Sequence, residues 1–410
     1  MSLHRCDIAI VGAGAAGIAV AASLKKRQPQ LSITLIDPAK KHYYQPGWTM
    51  VGRGVFKAQS TERDTASLIP KGVNWLAHAV TIFDPLNNAL ALNNDDSVQY
   101  EQLVVAAGLS LNWDGVEGLA ENLGKNGVTS NYRYDTAPYT WELVKNLKGG
   151  RAVFTQPPMP IKCAGAPQKA MYLSADHWRK QGRLKDIQID FCTATPGLFG
   201  VADYVLALMK YVERYAANLN FQTNLTKIDG ARQVATFSSP EGEIEKPFDM
   251  LHVCPPQCAP SFISKSALAD ESGWVDVDQA TLQHKRFDNI WSCGDVMNAP
   301  NAKTAAAARA GTRGRGKPAC LSIRQVRGAS LQRLRLLPAY GRERQNRAGR
   351  IRIRRQIATF LLEGDSQWSE ADALGLASKS RRATLDLLEC HAEGPRVDGQ
   401  KRRSVLTRIH

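Results

Sequence analysis

The chain has 410 residues, of which 43 % are hydrophobic and 22 % are charged, and this length favours two domains with apolar cores over one. Its formal net charge of +15 would suit a polyanion-binding protein, but residues 309–410 hold 23 Lys and Arg against 9 Asp and Glu, whereas residues 1–308 hold 30 against 29. Residues 1–308 are therefore nearly neutral, which excludes a strongly basic nucleic-acid-binding domain in that part.

The N-terminal residues predict one complete strand-helix-strand unit. Residues 6–11, "CDIAIV", form a strand, a helix covers residues 15 to 27, and residues 32–36, "SITLI", form a second strand that ends at Asp37. The apolar run 8–24 is similar to the core of a signal peptide, but its glycine spacing indicates a turn inside it. No other apolar run approaches the roughly 20 residues of a membrane-spanning helix.

Three glycines at fixed spacing connect the first strand to the helix. Gly12 allows the tight turn, Gly14 lets backbone amides approach a pyrophosphate, and Gly17 permits close packing of the helix on the strand. Asp37 can accept hydrogen bonds from the ribose hydroxyls of an adenosine. A GxGxxG motif between a strand and a helix is specific, and it predicts a bound dinucleotide rather than a glycine-rich turn without a ligand.

Two later strands end in residues that suit the same ligand. Residues 102–108, "QLVVAAG", form a strand that ends in Ala107 and Gly108, and residues 289–295, "NIWSCGD", form another that ends in Asp295. In a protein that binds FAD through such a fold, the late Gly-Asp pair delivers an acid to the ribityl chain. The order GxGxxG, AAG and GD resembles that of the flavoproteins with two dinucleotide-binding folds.

The middle of the chain lacks the second GxGxxG with which those flavoproteins usually bind NAD(P)H. The equivalent strand, residues 151–155, is followed by "QPPMPIKCAGAP", where prolines and side chains fill the space that a second pyrophosphate needs. We therefore expect that NAD(P)H does not supply the electrons.

Cys163 has surroundings that suit nucleophilic or redox chemistry. It comes just before a helix that Pro167 can start, and Lys162 and Lys169 are close in sequence. Helix N-terminal amides and ammonium groups both favour the thiolate over the thiol. These residues alone leave open whether Cys163 is a reactive thiol or a buried structural cysteine.

The eight cysteines form no CxxC pair and no zinc-type spacing, so they predict neither a metal site nor a thioredoxin-like motif. Cys254 and Cys258, which are closest in sequence, are interpreted as two small buried side chains. This cysteine usage fits a reducing compartment.

Six longer strings within residues 42–307 match a known family. They are "HYYQPGWTMVG" (42–52), "KCAGAPQKAMYLS" (162–174), "MLHVCPPQ" (250–257), "GWVDVD" (273–278), "TLQHKRF" (281–287) and "GDVMNAPNAKTAAA" (294–307). They resemble sulfide:quinone oxidoreductase, and most closely its two-cysteine subgroup, which includes the mitochondrial enzymes. The resemblance extends over residues 5–308.

The resemblance implies a flavoenzyme that oxidises sulfide to sulfane sulfur and passes two electrons through FAD to a membrane quinone. Glutathione, sulfite or sulfide would accept the sulfane sulfur, and nucleic acid would not be a partner. In the family Cys163 would face the flavin, and a second cysteine in a C-terminal "CPL" motif would carry the sulfane sulfur. The family also implies peripheral association with a membrane, on the cytoplasmic face of the inner membrane in a bacterium.

The resemblance also implies a set of FAD-binding residues. Lys303 and a helix that begins near Thr304 would lie under the pyrimidine edge of the flavin, where positive potential stabilises a reduced, anionic ring. A solvated lysine at a helix start is the alternative for Lys303. The full set is Gly12, Gly14, Gly17, Asp37, Gln45, Val80, Ala107, Gly108, Asp295 and Lys303.

Residues 309–410 depart abruptly from the family and contain no "CPL". Codons permitted for residues 331–356, when translated one nucleotide later, give "YNGYGSCPLTVESGKIVLAEFGYGG", which contains the missing motif. Residues 310–319 and 389–400 give further family-like strings at the same offset. We interpret residues 309–410 as a shifted reading frame, whose arginines replace the quinone-binding and membrane-docking region. A basic tail that evolved as such, or a nucleic-acid arm, is the alternative.

The predicted fold is α/β, with an FAD-binding Rossmann-like domain at residues 1–115 and 270–308 and a second Rossmann-like domain at 116–269 inserted between them. Residues 309–410 are expected to be disordered, because their apolar residues follow no sustained period. With the second cysteine absent, activity as written should be impaired, and a tail that prevents docking would leave the protein cytoplasmic. The alternatives are an inactive FAD-binding remnant and another quinone-linked flavoprotein, such as a type 2 NADH dehydrogenase.

Overall fold

The computed structural model describes residues 2–299 and Lys303, which form a mixed α/β fold with two Rossmann-like sheets. The α/β class predicted from the sequence is therefore confirmed. The expected helix near Thr304 and the predictions of a shifted frame and a disordered tail over 309–410 lie outside the described residues.

Seven α-helices occur in the described residues, and α1, α4, α5 and α6 have ten residues or more. The helices are α1 (Ala15–Arg27), α2 (Trp48–Val51), α3 (Leu119–Asn122), α4 (Ala137–Asn146), α5 (Ala166–Lys180), α6 (Ala202–Arg214) and α7 (Ser261–Ser264).

The same residues contain nineteen strands. They are β1 (Leu3–Val11), β2 (Ile33–Ile36), β3 (Lys41–Tyr43), β4 (Glu62–Asp64), β5 (Val73–Leu76), β6 (Val80–Asp84), β7 (Ala89–Leu92), β8 (Ser97–Val105), β9 (Ser110–Leu111), β10 (Val128–Thr129), β11 (Gly150–Gln156), β12 (Ile187–Thr193), β13 (Asn218–Asn220), β14 (Asn224–Asp229), β15 (Val234–Ser239), β16 (Gly242–Pro247), β17 (Met250–His252), β18 (Gln257–Cys258) and β19 (Ile290–Ser292).

The first sheet has the strand order β5-β2-β1-β8-β7-β6, and β19 pairs with the carboxyl end of β8. Strands β5, β2, β1, β8 and β19 are parallel, whereas β7 and β6 are antiparallel additions. Ile8, Ala9, Ile10 and Val11 of β1 are all buried, as expected for a central parallel strand covered on both faces. Each large apolar side chain buried in this way contributes about 1.5–3 kcal/mol.

The second sheet is parallel and has the order β10-β17-β11-β12-β13. Phe154 and Phe191 at its centre are fully buried, and Trp178 of α5 packs on Phe154 with 6.5 Å between the ring centroids. The indole of Trp178 donates to the carbonyl of Val144 at 2.8 Å, so α5 is fixed to the end of α4 as well as to the sheet. The helix that follows Cys163 is therefore held in place by contacts with both the second sheet and α4.

The predicted N-terminal elements are confirmed in kind and nearly in extent. The helix covers the predicted 15–27, and β1 extends the predicted strand to Leu3, because residues Leu3 to Val11 pair with β8 along their length. Strand β11 likewise extends the predicted 151–155 by one residue at each end.

Two of the later strands end before the predicted positions, and one cysteine prediction is wrong. Strand β8 ends at Val105, because Gly108 has a φ of +72° and the chain turns away from the sheet. Strand β19 ends at Ser292, and Gly294 has a φ of +79°. Cys254 is buried as expected, but Cys258 is exposed, because β18 is a two-residue edge strand that pairs only with β9.

We expect Gly17→Ala to lower the free energy of unfolding by about 3 kcal/mol, the upper end for overpacking a filled site. The added Cβ would lie 1.9 Å from the carbonyl oxygen of Gly12, a backbone atom that cannot rotate away. Urea-induced unfolding measures the change. Gly14→Ala is the matched control, since nothing lies within 4 Å of its Cβ position, and it should cost at most about 1 kcal/mol. Equal losses in the two variants would contradict this account of the turn.

Candidate active site

The loops that follow four neighbouring strands of the first sheet meet at one edge. Val11 at the end of β1 pairs with Ile36 of β2 and Val105 of β8, and Val105 pairs in turn with Ser292 of β19. Because the carboxyl ends of parallel strands lie at the same edge, the residues after these strands come together there. The structure thus places Gly12, Gly14, Gly17, Asp37, Ala107, Gly108 and Asp295 after strands that end at this edge.

The glycine turn packs tightly against the protein backbone at Gly12 and borders free space at Gly14. Gly12 has a φ of +109°, and a Cβ there would lie 2.4 Å from the carbonyl oxygen of Ala106, whereas nothing lies within 4 Å of a Cβ at Gly14. Helix α1 begins with Gly14 as its N-cap, without a side-chain cap and without an acidic residue in its first turn. Such a helix start, with space in front of it, suits a pyrophosphate.

Asp37 is tied to this turn by hydrogen bonds. Its carboxylate accepts from the amide of Ala13 at 2.7 Å and from that of Ala39 at 2.8 Å. Its own amide donates to the carbonyl of Leu76, so the end of β5 lies beside it. Val80 follows four residues after Leu76 as the buried first residue of β6. The carboxylate therefore lies beside the glycine turn, where a ribose could bind to it.

Asp295 and Lys303 lie close together after β19, in the described residues 293–299 and Lys303, which we call the late loop. Burial raises the pKa of the Asp295 carboxyl, and the nearby ammonium groups of Lys303 and Lys162 oppose that shift. Lys303 is 6 % exposed and is not solvated. Its ammonium donates to the carbonyls of Asp295 at 2.6 Å and Met297 at 3.2 Å, and it lies 3.8 Å from the ring centroid of Trp274. Burial lowers its pKa to about 8.

Cys163 joins this loop through the backbone. Its amide donates to the carbonyl of Lys303 at 2.8 Å, and its carbonyl accepts from the amide of Ala166, where α5 begins. The half-buried thiol lies 3.5 Å from the ammonium nitrogen of Lys169 in the first turn of α5. The residue has a φ of +54°, in the left-handed region that costs a non-glycine residue about 1–3 kcal/mol.

Lys162, the residue before Cys163, forms a hydrogen bond with Gln45. Its ammonium donates to the side-chain oxygen of Gln45, and burial lowers its pKa while Asp295, Cys254 and Cys163 oppose the shift. Both residues line a cleft of about 420 Å³, together with the aromatic side chains of Tyr43, Trp48, Tyr132 and Tyr134. The predicted residue Gln45 is thus brought into contact with Lys162, the residue before Cys163, from a distant part of the sequence.

Sequence reasoning missed Tyr132 and Gln257, which contact the backbone beside Cys163. The hydroxyl of Tyr132 donates to the carbonyl of Lys162 at 3.2 Å, and the side-chain oxygen of Gln257 accepts from the amide of Lys162 at 2.7 Å. Gln257 ends the string "MLHVCPPQ", which gave a weak signal. No sequence motif near Tyr132 indicated its contact, because Lys162 lies 30 positions further along the chain.

The fold and the site together define an oxidoreductase with a dinucleotide-binding edge and a thiol next to it. Residues 6–139 match the family described as "Pyridine nucleotide-disulphide oxidoreductase". A mitochondrial sulfide:quinone oxidoreductase of Dictyostelium discoideum is 45 % identical over 303 residues, which cover 73 % of this chain and 67 % of that protein. The mitochondrial sulfide:quinone oxidoreductase of Mus musculus is 37 % identical over 327 residues, covering 79 % and 73 %. This chain belongs to the sulfide:quinone oxidoreductase family, as the sequence predicted, and the family depends on FAD.

A solved structure supports the fold at lower identity. The sulfide:quinone oxidoreductase from Aquifex aeolicus superposes with a TM-score of 0.64 at 21 % identity, over 73 % of this chain and 71 % of that chain. None of the helices in the described residues is long and apolar enough to cross a membrane.

We expect Gly14→Ala to weaken FAD binding by at least about tenfold, equivalent to about 1.4 kcal/mol. Its Cβ would occupy the open space in front of α1 without touching the protein. Titration of FAD into the flavin-free protein, followed by flavin fluorescence, measures the dissociation constant. Gly197→Ala is the control, because Gly197 is equally open and lies in the loop after β12. Unchanged affinity in the Gly14 variant would place the pyrophosphate elsewhere.

Proposed function

We propose that this chain oxidises sulfide to sulfane sulfur and transfers the electrons through FAD to a membrane quinone, with Cys163 as the sulfur-reactive thiol. The observation that carries the proposal is the thiol of Cys163, half-buried and 3.5 Å from the Lys169 ammonium. An ammonium at that distance favours the thiolate, which is the nucleophilic form. The family relationship supplies the reaction type.

The residues at the open edge would hold FAD. Gly12, Gly14 and Gly17 would form the pyrophosphate turn, and Asp37 would accept hydrogen bonds from the adenosine ribose. Asp295 would contact the ribityl chain, and Gln45, Val80, Ala107, Gly108 and Lys303 complete the proposed set. FAD, when bound, accepts two electrons from a sulfur donor and passes them to a quinone.

The overall reaction removes two electrons from sulfide and adds two electrons and two protons to the quinone. The chain's own contribution is electrostatic: Lys169 stabilises the Cys163 thiolate, and Lys162 and Lys303 keep the neighbouring loop positive. Glutathione, sulfite or sulfide would take the sulfane sulfur. The prolines after β11 are the reason to exclude NAD(P)H as the electron source.

We also propose that the two sheets belong to two domains, residues 1–115 with 270–308 and residues 116–269. The first sheet takes all its strands from the outer segments, and the second takes all of its strands from the inner one. Peripheral association with the cytoplasmic face of a bacterial inner membrane is the proposed location, since the electron acceptor is a membrane quinone.

An inactive FAD-binding remnant is the second candidate function. The reason to consider it is a motif that the amino-acid sequence lacks. No "CPL" motif occurs in the chain, and the shifted frame puts Leu337 and Pro338 where that cysteine codon lies. Without a second sulfur to hold the sulfane, the proposed cycle would stop after one step. The arginines of 309–410 are also costly to place among acyl chains, so membrane docking would be lost.

We expect Lys169→Met to slow alkylation of Cys163 by iodoacetamide about tenfold near neutral pH, because the thiolate is the reacting form and would lose the ammonium that lies 3.5 Å from its sulfur. Peptide mass spectrometry of timed reactions measures the rate. Lys180→Met is the control: it removes an ammonium from the far end of the same helix, where it pairs with Asp176 at 3.0 Å. Equal rates in both variants would argue against activation by Lys169.

Restoring the frame at codon 309 should produce sulfide-dependent quinone reduction, whereas the chain as written should show little or none. The restored chain regains the second cysteine and the apolar C-terminal residues. Reduction of a short-chain ubiquinone by the FAD-loaded protein measures activity, with NADH in place of sulfide as a second arm. Cys163→Ser should abolish the restored activity.

Three outcomes would contradict the proposal. Equal turnover by both chains would refute the shifted frame and the need for a second cysteine. Turnover that survives Cys163→Ser would remove that residue from the reaction. Faster quinone reduction with NADH than with sulfide would favour a type 2 NADH dehydrogenase.

A further inference from the structure

We infer that Tyr132 and Gln257 are positioning residues, which together hold the peptide before Cys163 so that its thiol faces Lys169. This inference rests on the proposed role of Cys163 as the reactive thiol. It concerns two side chains that are not among the proposed FAD-binding residues and whose hydrogen bonds go to the backbone before Cys163.

The backbone of Cys163 is held in place from several directions. Its φ of +54° is unfavourable for a side chain with a Cβ, and such a conformation persists only where the surroundings impose it. On the residue itself, the amide donates to the Lys303 carbonyl at 2.8 Å and the carbonyl accepts from the Ala166 amide at 2.7 Å. These two backbone bonds fix the residue to the late loop and to the start of α5.

Tyr132 and Gln257 fix the residue before it. The amide of Lys162 donates to the Gln257 side-chain oxygen at 2.7 Å, and its carbonyl accepts from the Tyr132 hydroxyl at 3.2 Å. The same hydroxyl lies 3.5 Å from the Cys163 carbonyl oxygen. The carbonyl of Lys162 and the amide of Cys163 belong to one peptide plane, so Tyr132 and the Lys303 carbonyl hold opposite ends of it. Rotation about the φ bond of Cys163 would break one of these contacts.

Cys254 lies next to the two positioning side chains. Its buried thiol, whose pKa burial raises to about 12, stays protonated and donates to the carbonyl of Pro255 at 3.9 Å. The side-chain amide of Gln257 lies 3.9 Å from its sulfur. Tyr132 is itself only 5 % exposed, so water competes little for its hydroxyl. Tyr132 and Gln257 thus hold the Lys162 backbone at its carbonyl and its amide, and the buried Cys254 thiol lies beside Gln257.

The consequence is a thiol whose direction is set before any substrate arrives. With the peptide plane fixed, the Cβ of Cys163 points towards the first turn of α5, where the Lys169 ammonium lies 3.5 Å from the sulfur. If the plane relaxed, Cys163 would return to a negative φ, and the sulfur would leave the ammonium. Preorganisation of this kind keeps an activating charge at a useful distance.

The test is the pH dependence of Cys163 alkylation in the full 410-residue chain, in Tyr132→Phe and in Gln257→Leu. Iodoacetamide rates are measured by peptide mass spectrometry between about pH 5 and pH 10, a range that covers thiol ionisation in proteins. In both variants the rate on the acidic side should fall about tenfold, because the thiolate is the reacting form and would lose the nearby Lys169 ammonium. In Tyr132→Phe the exposed Cys258 is the internal reference, and its rate should not change.

Tyr100→Phe is the matched control. Tyr100 is also buried, but its hydroxyl makes no hydrogen bond within the described part of the chain. This variant should therefore leave the alkylation profile unchanged. A general loss of stability would lower the melting temperature without slowing alkylation of Cys163 in the folded protein, so circular dichroism melts accompany each profile.

The outcomes separate this inference from the proposed function. If Cys163 of the unsubstituted chain reacts no faster than Cys258, the reactive-thiol proposal is wrong. If Cys163 is fast but Tyr132→Phe and Gln257→Leu both retain its profile, the positioning inference is wrong. Since Gln257 is only half-buried, its variant provides the test even if Tyr132→Phe does not fold.

Discussion

The hydrogen bond from the Cys163 amide to the Lys303 carbonyl is the contact on which the site depends. It joins two segments 140 positions apart in sequence, one carrying the thiol and the other following Asp295. Without this hydrogen bond, the edge of the first sheet would have no thiol beside it, and Cys163 would be connected only to the start of α5. With it, the Cys163 thiol lies beside the residues that we propose bind FAD.

Three lysines and one acid lie near the thiol segment. Lys162 precedes Cys163, Lys169 lies in the first turn of α5, and the backbone contact brings in Lys303 together with Asp295. Burial works against three of these charges, lowering the pKa of Lys162 and Lys303 and raising that of Asp295. The site therefore combines two partly desolvated cations with a partly desolvated anion. Partly desolvated groups interact with a neighbouring charge more strongly than the same groups would in water.

The sequence predicted the parts of this structure that local rules determine. The glycine spacing and the apolar run of β1 were enough to place α1, because turn geometry and helix packing act within a few residues. Residues 106–108 were wrongly included in β8, since an apolar run does not reveal the positive φ of Gly108. Cys258 was wrongly expected to be buried, because burial at an edge strand depends on which partners cover it. Tyr132 could not be predicted, since its role arises only from contacts made in the fold.

The three glycines of the GxGxxG motif are required for two different reasons. Two of them are required by the fold, and one leaves space for a ligand. At Gly12 and Gly17 a side chain would collide with the protein's own backbone, so folding alone requires these glycines. At Gly14 a side chain would meet nothing within 4 Å, so the folded chain could tolerate alanine there. A lineage that had lost its dinucleotide could keep the outer two glycines and drift at the middle one. Gly14 is therefore the position whose retention records use of the ligand rather than integrity of the sheet.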